Sequence, residues 1–151
     1  MKPANVLVVF YSRYGVTEQL ALAAGVGAIQ MRGSVRLRRL PDLAGPEAIR
    51  ADAAWSENLE RMAKDYIAPR GVDTQWANVL ILGAPRDSTA EMERYLESAG
   101  DGLRGKTAAI IGTFADAAQR AGLTVVAPLG PVDDASGALA YGRRAVESIG
   151  D

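Results

Sequence analysis

The chain has no cysteine and no histidine among its 151 residues. Without cysteine there is no disulfide, no thiol nucleophile and no Cys-ligated zinc or iron–sulfur site. Without histidine the commonest general base and the commonest transition-metal ligand are missing. Carboxylate-bound Mg²⁺ or Ca²⁺ is all that is left open, and no residue pattern marks a metal site or a catalytic side chain. Charge of one sign is lacking too: 17 Lys and Arg against 18 Asp and Glu leave a net charge of −1. That excludes a global pull towards nucleic acid or an anionic membrane. No apolar run approaches the ~20 residues of a membrane span. The apolar run at 6–11 is too short for a signal-peptide core, and no small-residue cleavage site follows it. The expectation is a cytoplasmic protein with neither a nucleic-acid nor a membrane partner.

What is present is ordinary globular material, 48% hydrophobic and 23% charged, in a length typical of one domain. The runs NVLVVFY (5–11), ANVLILGAP (77–85), TAAIIGT (107–113) and LTVVAPL (123–129) are continuously apolar, as strands covered on both faces are. SVRLRRL (34–40) alternates Val35 and Leu37 with Arg36 and Arg38, which predicts an edge strand with one wetter face.

Helical periodicity lies between these runs. It predicts a helix over 17–31 with Leu20, Ala23, Ala24, Gly27 and Met31 inward. A second, over 56–67, opens at Ser56 and buries Leu59, Met62, Ala63 and Tyr66. A third, over 88–99, opens at Ser88 with Met92, Tyr95 and Leu96 inward. A short one covers 115–122, and the last covers 135–149 with Leu139, Gly142, Val146 and Ile149 inward. Residues 41–55 read as a loop with a short helix after Pro46. Strand and helix thus alternate five times, the pattern of a parallel sheet with helices on both faces. A fully apolar first strand beside an edge-like second predicts one α/β domain over 1–151: a doubly wound, five-stranded parallel sheet in the flavodoxin-like order 2-1-3-4-5. In that order ligands bind where the winding reverses, at the carboxyl ends of strands one and three.

The turn SRYGVT (12–17) falls at that place. A helix N-terminus offers free N–H groups and the positive end of the helix dipole. Ser12 and Thr17 add hydroxyl donors, Arg13 adds charge, and Gly15 permits a tight bend. An anion site and an ordinary βα loop with a threonine cap both account for the spacing. Two other matches fail on context. GDGLRGKT (100–107) fits the phosphate-loop pattern letter for letter, but that loop must follow a strand and open a helix, and this one does the reverse. A helix C-cap at Gly100 with a polar turn is the better reading. GVGA (25–28) lacks the third glycine of a dinucleotide fingerprint and lies inside a helix, where Gly27 reads as an aid to close helix–sheet packing. A phosphorylated receiver domain would need acidic residues after the first strand, where this chain has Ser12 and Arg13. Asp133 and Asp134 read as helix caps, and Trp55 and Trp76 as packing residues with no catalytic role.

VLVVFYSRYGVTEQLALAAGVGA (6–28), GSVRLRRLPD (33–42), WANVLILGAPRD (76–87) and APLGPVDD (127–134) together resemble the flavodoxin-like NAD(P)H:quinone oxidoreductases once called tryptophan-repressor-binding proteins. The likeness covers most of the chain and is weak over 42–70. It implies FMN, with the phosphate held by Ser12, Arg13, Tyr14, Gly15, Val16 and Thr17. It implies that Pro85, Arg86 and Asp87 remain from the second flavin loop, here shortened, and that Thr113 and Phe114 stand where a long third loop would be. The family's active-site histidine has no counterpart. The resemblance therefore implies an FMN-dependent reductase of a quinone-type acceptor with NAD(P)H as donor, its FMN held weakly or lost. The alternative is a degenerate flavodoxin-like domain that takes another phosphate ligand or a protein partner. A small-molecule acceptor is the implied partner, and a homodimer is left open.

Overall fold

The β-rich runs become five strands: β1 (Asn5–Phe10), β2 (Ser34–Arg39), β3 (Val79–Gly83), β4 (Thr107–Ile111) and β5 (Thr124–Val126). They pair in parallel in the order β2-β1-β3-β4-β5, the flavodoxin-like order expected from the alternation. The computed structural model describes residues 3–149. The helices are α1 (Val16–Gln30), α2 (Pro46–Arg50), α3 (Ala53–Asp65), α4 (Gly71–Trp76), α5 (Ala90–Ser98), α6 (Ala115–Arg120) and α7 (Ala135–Glu147), with a 3₁₀ turn at Gly100–Leu103. Among the described residues no helix is long and apolar enough to cross a membrane.

The central strands are apolar on both faces because each face is covered. Val6, Val8 and Phe10 of β1 join Val79, Ile81, Ala109 and Ile111 against Ala21, Ala24 and Ala28 of α1 and Ala138, Tyr141 and Ala145 of α7. Leu7, Val9 and Tyr11 join Leu80, Leu82, Ala108 and Ile110 against Met92, Tyr95 and Leu96 of α5 and Ala118 of α6. Strand period two thus sorts alternate residues into two cores.

α1 buries a narrower, smaller-residue stripe than its periodicity suggested. Ala21, Ala24, Gly25, Gly27 and Ala28 are inside with Thr17 and Glu18, while Leu20, Ala23 and Met31 sit half-buried at the margin. The reason is the neighbour. A Cβ added at Gly27 would lie 2.1 Å from the Leu139 carbonyl oxygen, and one at Gly142 would lie 1.9 Å from that of Ala24. Gly27 therefore serves helix–helix contact between α1 and α7, not helix–sheet contact. The backbone entropy that two mid-helix glycines cost is offset by backbones packing where side chains would otherwise stand.

β2 is one of the two edge strands, β5 the other. Arg36 and Arg38 both bond the fully buried Asp73 of α4 at 2.9–3.1 Å, and Arg36 also lies 4.1 Å over the Trp76 ring. Burial pushes the Asp73 carboxyl up, but Arg38, the Arg70 N–H and Arg36 outweigh it and hold the group well below the usual carboxylate range. The edge ladder is partly covered by Arg39 N–H donating to the Ile67 carbonyl at 3.0 Å, which guards an exposed strand edge.

Several boundaries move for identifiable reasons. α3 starts three residues before Ser56, because Asp52 caps it by accepting from the Trp55 N–H at 3.1 Å. α5 opens after Thr89, not at Ser88. α4 is a helix the sequence pattern did not reveal. β5 keeps only three residues of 123–129, since Pro128 has no N–H to give a ladder and Arg144 Nε takes the Ala127 carbonyl at 2.8 Å. Asp134 caps α7 through the Gly137 N–H at 2.8 Å; among the described residues Asp133 accepts no capping bond. Residues 100–107 run from helix into strand, with Gly100 at φ +55° and Gly105 at φ +80°, so that segment lacks the strand-to-helix setting of a phosphate loop.

Candidate functional site

β1 ends at Phe10, and α1 begins at Val16 after a turn of five residues. Gly15 takes φ +98° and ψ −6°, a left-handed bend that costs any residue with a Cβ. The bend lets the Gly15 N–H donate back to Ser12 Oγ at 3.0 Å. Ser12 is 1% exposed and Thr17 7%. Among the described residues, the amides of Arg13, Tyr14, Val16, Thr17 and Glu18 have no protein acceptor, and neither do the Ser12 and Thr17 hydroxyls. Thr17 packs its methyl within 3.1 Å of the Cβ position of Gly83. The turn is therefore a nest of donors at a helix N-terminus, the arrangement that suits an anion. The threonine-cap alternative fails: α1 has no side-chain cap, and its cap position is Gly15.

A cleft of 510 Å³ opens at this turn, within the range of small-molecule sites. Ser12, Arg13, Tyr14, Val16 and Thr17 line one side; Pro85, Arg86 and Asp87 line the other, with Ile111, Gly112 and Val132 between. The structure so brings together most of the residues singled out from sequence. Gly15 lies behind the lining. Thr113 and Phe114 fall outside it. Phe114 is 4% exposed and packs in the core with Leu82 and Ala84, because a lone aromatic after a strand is drawn inward when no long loop carries it away. Gly112 takes the lining position instead, at φ +142°, where a Cβ would meet the Ala84 carbonyl oxygen at 2.7 Å. Sequence reasoning also missed Leu20, Ser88 and Val132. The aspartates 133–134 pointed to the start of α7, but nothing there pointed to the loop before it.

The most informative omission is α3. Tyr14 donates its hydroxyl proton to Asp52 Oδ2 at 2.5 Å. Arg13 stacks 4.0 Å over the Trp55 ring and donates from Nε to the Tyr11 hydroxyl at 2.9 Å. Arg61 grips Glu18 through two bonds of 2.6 and 3.0 Å, and Tyr66 donates to the same carboxylate at 2.6 Å. Burial pushes Glu18 up, but Arg61 and Tyr66 outweigh it and leave its carboxyl below the ordinary value. From beneath, the buried Arg39 donates to the Ser12 carbonyl at 2.8 Å. The turn is strapped on its outer side and from below, and only its donor face is left open.

No family model matches the chain. It is 30% identical over 116 residues to an NAD(P)H dehydrogenase (quinone) of Paracoccus denitrificans (strain Pd 1222), covering 70% of this chain and 52% of that protein. It is 31% identical over 103 residues to an NAD(P)H dehydrogenase (quinone) of Rhodopseudomonas palustris (strain BisB18), covering 64% of this chain and 47% of that one. The chain thus spans about half the length of the curated relatives it matches. Among solved structures, a flavodoxin from the domain Archaea superposes with a TM-score of 0.69 at 16% identity, over 97% of this chain and 99% of that chain. The two-electron reduced flavodoxin of Megasphaera elsdenii superposes at 0.64 and 16% identity, over 94% and 98%.

Proposed function

Because the chain belongs to the flavodoxin-like NAD(P)H:quinone oxidoreductase family, we propose that its cleft binds FMN by the phosphate and serves NAD(P)H-dependent reduction of a quinone-type acceptor. The observation that carries this reading is the turn at 12–18, where the amides of Arg13, Tyr14, Val16, Thr17 and Glu18 and the hydroxyl protons of Ser12 and Thr17 have no protein acceptor among the described residues, at the cleft these residues help to line. A phosphate is the flavin group such a donor set fits, and each charge-assisted bond contributes roughly 1.5–3 kcal/mol. FMN, when bound, supplies the two-electron chemistry; the protein supplies position and electrostatics. Ser12 and Thr17 donate to the phosphate. Pro85, Ile111, Gly112 and Val132 offer the ring a shallow apolar wall. No side chain is assigned a proton-transfer role, which agrees with a chain that has no histidine.

A second reading has its own observation. Among the described residues Tyr14 is the only aromatic side chain in the lining, and it is tied to Asp52. Ring stacking is therefore thin, and a phosphate ligand without a flavin fits the same donors. Titration with FMN, followed by quenching of flavin fluorescence, separates the two. Saturable one-to-one binding, and oxidation of NADH or NADPH by a benzoquinone only when FMN is present, is the result expected. Absence of FMN binding at high micromolar concentration sinks the flavin reading and leaves the phosphate one.

A further inference from the structure

Arg13 is held in a closed ring of contacts. Its Nε donates to the Tyr11 hydroxyl at 2.9 Å. Tyr11 donates to Asp42 Oδ1 at 2.6 Å, and the Trp55 indole N–H donates to the same oxygen at 3.0 Å. The Trp55 ring then closes the circuit under the Arg13 guanidinium at 4.0 Å. Tyr11 and Trp55 are buried, and Asp42 shows only 6% of its side chain. An arginine in a βα loop normally samples many rotamers, and ordering it costs side-chain entropy. Here that cost is met during folding. The carboxylate nearest the ring is already committed, since Asp42 also takes Arg39 at 3.3 Å. Arg13 has no acidic partner among the described residues; its two terminal nitrogens carry no hydrogen bond and are not buried. Arg13 itself is one of the residues that line the cleft, together with Ser12 and Thr17.

We infer that Trp55, with Asp42 and Tyr11, is a positioning group that fixes Arg13 as a planar fork for phosphate oxygens, so that residues 42–55 complete the anion site. This deepens the reading of the cleft as a phosphate site and rests on that reading, but not on a flavin. A guanidinium already flattened against an indole keeps its outer N–H groups in one plane, the geometry that matches two oxygens of a phosphate. A lysine cannot be held that way. Trp55 never touches the ligand and acts through Arg13.

The test uses inorganic phosphate as probe, with its dissociation constant read from amide shifts in NMR titrations. The proteins are the parent, Arg13→Lys, Trp55→Leu, Trp55→Phe and the double variant Arg13→Lys/Trp55→Leu. Arg13→Lys is expected to weaken phosphate about tenfold, one charge-assisted bond's worth. Trp55→Leu should match it. Trp55→Phe, which keeps a ring face, should stay within about threefold of the parent. The double variant should be no weaker than Arg13→Lys alone, which a merely structural role for Trp55 would not give. If Trp55→Leu does not fold, the same cycle is run with Trp55→Phe, where the threefold loss should vanish on the Arg13→Lys background. Additive losses, an unchanged Trp55→Leu, or a parent that binds no phosphate overturns the inference. A parent that binds phosphate with the expected cycle but takes up no FMN keeps the inference and removes the flavin reading.

Discussion

At one end of the cleft the turn 12–18 is bonded to Arg39, Asp52, Arg61 and Tyr66 and stacked on Trp55. On the other side, Arg86 and Asp87 are exposed and make no side-chain bond among the described residues. The first end is preorganised, with its desolvation and ordering costs met on folding. The second has little to bury and little to stack. On the proposed reading, selectivity comes from charge and hydrogen bonding at the first end, and a flavin ring at the second adds only a small increment.

The largest effect that would break this comparison is in ligand choice. FMN should bind at least about 100-fold more tightly than riboflavin, because two or more charge-assisted bonds vanish with the phosphate. Calorimetry giving equal affinities would mean that the ring end is the anchor. Thr17→Val sharpens the point: it should weaken FMN about tenfold and leave riboflavin unmoved. The next effect is on stability. Gly142→Ala drives a Cβ into the Ala24 carbonyl of α1, and should cost about 2–3 kcal/mol and lower Tm by roughly 4–10 °C. Gly130→Ala, in the exposed loop before α7, meets nothing within 4 Å and should change stability by less than about 0.5 kcal/mol. Comparable Tm losses in the two would contradict the contrast.

A smaller effect is carried by pH. The Glu18 carboxyl is depressed below its ordinary 4.5, so its stabilising share is complete above about that pH. The share is lost as pH falls through the folded value. Glu18→Gln should cost about 1 kcal/mol near neutrality and give a shallower acid loss than the parent below pH 4.5; identical acid limbs in urea melts would refute the strap. The smallest effect is expected at Val132→Ser, which should change FMN affinity less than about threefold.

Which parts of this were legible follows from how local each signal is. The sheet order was readable because 5–11, 77–85 and 107–113 are apolar throughout and 34–40 is not. The donor-rich turn was readable because strand, Gly15 and two hydroxyls occur within one short segment. The strap was not. Tyr14 meets Asp52 and Glu18 meets Tyr66 at separations of 38 and 48 residues, and nothing in 41–55 has a periodicity that names its neighbour. Ser56 resembled a cap, and Asp52 took the role because its carboxylate reaches the Trp55 N–H. α4, GVDTQW, is too short and too polar for a stripe; it is fixed by Asp73 meeting arginines from another strand.

The close crossing of α1 and α7 also bears on how the protein is made. The turn at 12–18 opens α1, and α1 is seated backbone to backbone on Gly142. A ribosome delivering about 5–20 residues per second releases the α7 segment roughly 6–24 s after Ala24. Through that interval Val8, Phe10 and Ile81 have no α7 to complete their cover. Stalled nascent chains ending before residue 135 should be protease-sensitive across α1 and fail to retain phosphate, and those extended past 149 should not. The turn at 12–18 then gains its full support only once α7 has been made.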